Sequence, residues 1–130
     1  MRTPVVIPEH FTLTGVCSSD VQVDVLMNKE VATTLSNGSV ITTGALKVRL
    51  TNVDTGKSIV LNISGPSTTD PDGTLHTSGP WLFFFPTDNT QGQEAGMILI
   101  HGRTESTATS FSVLSGNVQD ICAALDSTGA

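Results

Sequence analysis

Apolar residues recur at every second position through much of the chain, the signature of strands that turn one face to a core and the other to water. Phe11 and Leu13 alternate with Thr12 and Thr14, and Val21, Val23 and Val25 alternate with Gln22 and Asp24. Leu46, Val48 and Leu50 repeat the pattern against Lys47, Arg49 and Thr51. Ile59, Leu61 and Ile63 do so against Ser58, Asn62 and Ser64, with Val60 the exception. Each of these rows predicts a strand.

The segments between them carry turn chemistry. Ser36-Asn37-Gly38-Ser39 holds an Asn-Gly pair suited to a two-residue hairpin with positive φ at both central positions, which predicts that residues 30–35 pair with residues 40–43. Asn52 to Lys57 reads as a second hairpin turn, and Gly65 to Gly73 and Gln91 to Gly96 read as longer loops. Further strands are expected at 74–78, Trp81 to Phe85, Met97 to His101 and Ala108 to Leu114. Val118, Ile121, Cys122 and Leu125 fall instead at helical spacing and predict a short helix over 118–125, capped by Asn117 or Ser115. The expected architecture is all-β: an antiparallel sandwich or flattened barrel of about nine or ten short strands with a short C-terminal helix. Residues 1–9 form an N-terminal arm and residues 10–130 a single domain.

Composition narrows the function classes. With 130 residues the chain supports one core. A net charge of −6 argues against a nucleic-acid partner. Only 14% of residues are charged, so the outer strand rows are built largely from Thr and Ser. No apolar run is long enough to span a bilayer. The start, Met1-Arg2-Thr3-Pro4-Val5-Val6-Ile7-Pro8, is too short an apolar stretch for a secretion signal.

Cys17 follows the first strand and Cys122 lies in the last element. This placement favours a disulfide, and with it an oxidising setting, over two buried thiols. Neither Cys has a second Cys or a His at zinc-ligand spacing, so no metal is expected.

Other chemical motifs fail on their context. Asp54-Thr55-Gly56 spells the aspartic-protease triplet, but it is followed by Lys57 at the tip of an evident hairpin and not by a packed loop. Gly56-Lys57-Ser58 lacks the first glycine of a phosphate-binding loop. Asp70-Pro71-Asp72-Gly73 lacks the further oxygen ligands of a calcium loop. His10, His76 and His101 are scattered over different strands. No catalytic residue or cofactor site is expected.

The most distinctive stretch is Trp81-Leu82-Phe83-Phe84-Phe85-Pro86, which leaves both faces of one strand apolar. Either the loop at 87–96 or the N-terminal arm covers the second face, or that face marks an interface. In the interface reading, Trp81 and Phe84, or Leu82 and Phe85 on the alternate face, meet a partner subunit. The arm residues Val5, Val6 and Ile7 suit docking on an adjacent subunit or an edge strand of their own domain.

Several segments resemble a group of small exported actinobacterial proteins of unknown function. They are Phe11 to Cys17, Val21 to Val25, Gly44 to Asn52 with the Asp54-Thr55-Gly56-Lys57 turn, Ile63 to Pro66, Ser78 to Pro86, and Asp120 to Leu125. The resemblance implies an all-β fold and an extracytoplasmic fate, with the two Cys in the same relative places, and it supplies no catalytic residue. Two explanations fit the missing secretion signal: the sequence begins at the mature domain, or the gene belongs to an actinobacterial phage whose release by lysis needs no signal. The expectation is therefore a non-enzymatic interaction module, foremost a virion surface protein such as a phage capsid decoration or tail component. Its partners would be protein subunits of the assembly or further copies of itself, at an extracellular or virion surface. A secreted cell-surface or ligand-binding β module is the alternative, and a dimeric aspartic protease using Asp54 the remote one.

Overall fold

The alternating rows become the strands of two antiparallel sheets in the computed structural model, which describes residues 2–126. Met1 and residues 127–130, the outer limits of the expected arm and domain, lie outside the described residues. The smaller sheet contains β2 (His10–Leu13), β3 (Val21–Asn28), β6 (Leu46–Asn52) and β7 (Ser58–Asn62), in the order β2-β3-β6-β7. Val21, Val23, Leu46, Val48 and Leu50 are buried, while Gln22, Lys47 and Arg49 between them are exposed. Each fully buried Val or Leu contributes about 1.5 to 3 kcal/mol.

The larger sheet contains β1 (Arg2–Pro4), β4 (Val31–Thr34), β5 (Val40–Thr43), β8 (Ser67–Thr69), β9 (Leu75–Phe85), β10 (Gly96–Thr107) and β11 (Ser110–Asp120). Its order is β1-β4-β5-β8-β9-β10-β11. One short helix, α1 (Ile121–Asp126), follows. The fold is an all-β sandwich with a short C-terminal helix.

Four local expectations change. The hairpin joining β4 and β5 forms, but its loop is Ser36-Asn37-Gly38. Leu35 and Ser39 are paired across it, only Gly38 takes positive φ (92°), and the Asn37 side chain accepts from the Ser39 N–H. The expected strands at 74–78 and 81–85 are one strand, β9, because Gly79-Pro80 bends it without ending it. The strands at 97–101 and 108–114 extend to meet as a long hairpin of β10 and β11. Val118 belongs to β11, opposite Ile100, so the helix starts three residues later than its stripe suggested. Its cap is Asp120, whose carboxylate accepts from the Ala123 N–H at 3.0 Å, in place of Asn117 or Ser115.

The long ribbon of β9, β10 and β11 folds back on itself. Phe83 lies opposite Ile98 and Phe111 lies opposite Ser106, eight residues apart on β10, a span of roughly 26 Å in a flat strand. Yet the two rings are 4.9 Å apart, edge to face. The bend lies where Gly79, Gly102 and Gly116 stand side by side across the three strands, with a register shift beside them at Arg103/Thr104. A Cβ on Gly102 would sit 2.0 Å from the Ser115 carbonyl oxygen, so only glycine permits this approach. Inside the fold-back, Phe83 and Phe85 pack on Phe111, and the Thr77 and Thr104 hydroxyls hydrogen-bond to each other.

The main core lies between the sheets, and α1 closes one end of it. There α1 buries Ile121 and Leu125 against Leu50, Met97 and Leu99. Cys17 and Cys122 are joined by a disulfide, with Cα atoms 5.3 Å apart, which ties α1 to the segment after β2.

Candidate functional site

At the other end the sheets flank a partly open cavity of about 460 Å³. The smaller sheet gives it an apolar wall: Phe11 and Leu13 of β2, Val23 and Val25 of β3, Leu46 and Val48 of β6, then Ile63. The larger sheet contributes Leu75, Trp81, Leu82 and Phe84 of β9 together with Thr42 of β5 and Ser67 and Thr69 of β8. The β8 ladder along β9 ends at Thr77. Backbone bonds from the Ser78 N–H to the Pro66 carbonyl and from the Gly65 N–H to the Pro80 carbonyl carry the pairing on to Pro80. Just past it Trp81 and Leu82, on opposite strand faces, both border the cavity.

The N-terminal arm completes the rim. β1 adds to β4 as the outermost strand, and the Val5 N–H continues the pairing by donating to the Glu30 carbonyl at 3.0 Å. The Asn28 amide donates to the Val5 carbonyl at 2.8 Å. Val5 and Ile7 line the cavity, and Val6 between them is 90% exposed.

Glu30, just before β4, is the charged residue of the lining. Burial holds its carboxyl above the ordinary glutamate range, and no neighbouring cation offsets that cost among the described residues. Thr42 and Ser67 stand directly opposite each other on β5 and β8, so their hydroxyls form a short polar row on the same side. The cavity is thus apolar on one wall and carries one carboxyl and three hydroxyls on the other.

The residues singled out from the sequence are distributed as follows. Strand alternation places Trp81, Phe83 and Phe85 on one face, stacked in sequence, and Leu82 with Phe84 on the other. The expected groupings of Trp81 with Phe84 and of Leu82 with Phe85 are therefore corrected, since residues three apart on a strand face opposite ways. Phe85 is buried in the fold-back, and the Trp81 indole N–H donates to the Gly65 carbonyl at 2.6 Å. The chain covers its own aromatic face. The β10–β11 tip folds over it, and that tip is tied to the loop after β9 by Gln91, whose amide donates to the Thr107 carbonyl at 2.9 Å. Phe84 stays 47% exposed at the cavity.

Asp54 lies exposed on the β6–β7 turn, where its N–H is held by the Asn52 side chain at 2.9 Å. Asp70 and Asp72 belong to the β8–β9 turn. Asp70 pairs with His76 at 2.7 Å, and the Thr74 N–H donates to Asp72 and holds its carboxyl below the ordinary range. His10 pairs with Asp24 at 2.8 Å, and that hydrogen bond is the main reason the Asp24 carboxyl is lowered. His101 is exposed on β10. Among the described residues no group of three or more His, Cys, Asp or Glu side chains is placed to hold a metal ion, and no helix is long and apolar enough to cross a membrane.

Sequence reasoning missed Glu30, Thr42, Ser67 and Thr69 as site residues. Each is an ordinary polar residue beside or within a short strand, and only the order β4-β5-β8-β9 gathers them. No family model, curated protein or solved structure matches this chain.

Proposed function

We propose that this protein is a non-enzymatic, extracytoplasmic β-sandwich module that binds a small apolar ligand between its sheets. The observation that carries this reading is the 460 Å³ cavity, whose volume falls in the range of small-molecule sites and whose lining is apolar apart from a few convergent polar groups. Its polar set supports binding over catalysis: one carboxyl and three hydroxyls can orient a ligand, with no histidine or second carboxyl in the lining to share proton transfer. The disulfide is compatible with an oxidising compartment, and the resemblance to exported actinobacterial proteins points the same way. Val5, Ile7, Leu82 and Phe84 line the cavity, so the apolar surface they supply supports ligand binding more directly than subunit contact.

Trp81 is the sole tryptophan, there is no tyrosine, and Trp81 borders the cavity, so its emission reports occupancy. Titration with a hydrophobic dye such as Nile red is expected to quench Trp81 and brighten the dye. Val25→Phe, which fills the void from the apolar wall, is expected to abolish both changes while the protein stays folded. Unchanged emission at saturating dye overturns the reading.

A second reading, a subunit of a larger assembly such as a virion surface, is favoured by β11. This 11-residue strand forms one edge of the larger sheet and exposes Val113, Leu114 and Val118. It predicts a concentration-dependent mass in light scattering that Leu114→Lys abolishes; a constant monomer mass counts against it.

A further inference from the structure

We propose that the occupant of this cavity is a cationic amphiphile, an aliphatic chain ending in a single amine, with the chain against the apolar wall and the ammonium at Glu30. The inference rests on the ligand-binding reading above and adds the chemistry of the head group.

The two walls differ in kind. The smaller sheet offers only hydrocarbon along Val23, Val25, Leu46 and Val48, which suits an unbranched chain and gives it no polar partner. The opposite side presents Glu30 together with the Thr42, Ser67 and Thr69 hydroxyls. A carboxylate and hydroxyl oxygens accept hydrogen bonds, and an ammonium brings three donors and no acceptor, so the sets are complementary.

Charge excludes the common alternatives. A fatty carboxylate would set a second negative charge beside Glu30, in a protein whose net charge is already −6. A neutral hydrocarbon would bury Glu30 further and give it no partner. Lys29, the adjacent cation in sequence, is exposed and is not part of the lining. A bound ammonium supplies the counter-charge that the cavity lacks, and the burial that raises the Glu30 carboxyl is consistent with a group awaiting one.

The test compares dodecylamine, dodecanol and dodecanoate, each below its micellar concentration, by Trp81 emission and by calorimetric titration. Dodecylamine is expected to bind about tenfold or more tighter than dodecanol, the range of a hydrogen bond to a charged group, and dodecanoate weakest of the three. E30Q is expected to bring the amine down to the affinity of the alcohol and leave the alcohol unchanged. D88N removes the same charge from the exposed loop after β9 and is expected to keep the preference, which separates a local pair from general attraction to an acidic protein. If dodecanol binds and the amine gains nothing, or if E30Q and D88N behave alike, the head-group inference is overturned and the cavity reading stands. If none of the three binds, both fall. Should E30Q fail to fold, the amine and alcohol comparison in the unaltered protein still decides.

Discussion

The Asn52 amide donates to the Leu125 carbonyl at 3.1 Å, binding the end of β6 to the last turn of α1. The same side chain works in both directions. Its amide also reaches the Asp126 carboxylate at 3.2 Å, and its oxygen accepts from the N–H groups of Asp54 and Thr55. Asn52 is 1% exposed, so each of these groups loses water on folding and depends on its partner. Asn52→Ala is expected to cost about 2 to 3 kcal/mol in urea unfolding. Asn52→Asp keeps the turn acceptor and turns the donor into a negative oxygen facing a carbonyl and a carboxylate. It is expected to be at least as damaging as the alanine variant at neutral pH; equal stability with the parent would refute the two-way role.

The disulfide closes a sequence separation of 105. Chain-entropy reasoning sets its ceiling near roughly 4.7 kcal/mol, and native disulfides commonly contribute about 2 to 4 kcal/mol. The double variant Cys17→Ser, Cys122→Ser is expected to lose an amount in that range while keeping its strand content by circular dichroism. The unreduced parent should weigh two hydrogens less than its reduced form, and two titratable thiols in the unreduced protein would contradict the bond.

The glycine line across β9, β10 and β11 gives a matched pair of variants. Gly102→Ala drives a methyl into backbone on the neighbouring strand, and relieving that clash means opening the bend. A loss of about 3 kcal/mol or more, or failure to fold, is expected. Gly96→Ala meets open space and has ordinary φ, so a change within about 0.5 kcal/mol is expected. Similar melting of both variants would remove the bend from the account.

Acid stability should carry two opposing contributions. The Glu30 carboxyl is raised in the folded protein, so its protonated form favours folding. Its contribution is fully present below the unfolded glutamate value and is lost as pH rises through the raised folded value. Asp24 and Asp72 are lowered, so their contributions are present above the unfolded aspartate value and are lost as pH falls through the folded one. In ligand-free protein, urea midpoints of Glu30→Gln should exceed those of the parent at neutral pH and converge with them in acid. A constant offset across pH would show that the carboxyl is not perturbed.

The smaller sheet was legible in the sequence because one face is buried and the other wet, so Val21, Val23, Leu46, Val48 and Leu50 stand out by period alone. The β9–β11 ribbon was not, for two reasons. Its strands bury side chains on both faces, as Ile100 and Leu99 do side by side, which erases the alternation. Its glycines also resemble strand ends when they are in fact the bend. The Cys pair was readable from position. The cavity was not, because a void is a property of what fails to fill the space between elements, and no residue in the chain advertises it. Glu30 looks like any surface glutamate until β1, β5 and β8 are placed around it.

β10 sends Met97 and Leu99 into the core between the sheets and Ile100 and Thr104 into the fold-back. One backbone therefore divides two separately packed interiors. Loosening either side takes support from the strand that the other needs, so the two interiors should come apart together. Stability won in the fold-back is thereby lent to the far end of the main core, where Met97 and Leu99 pack with Ile121 and Leu125 of α1.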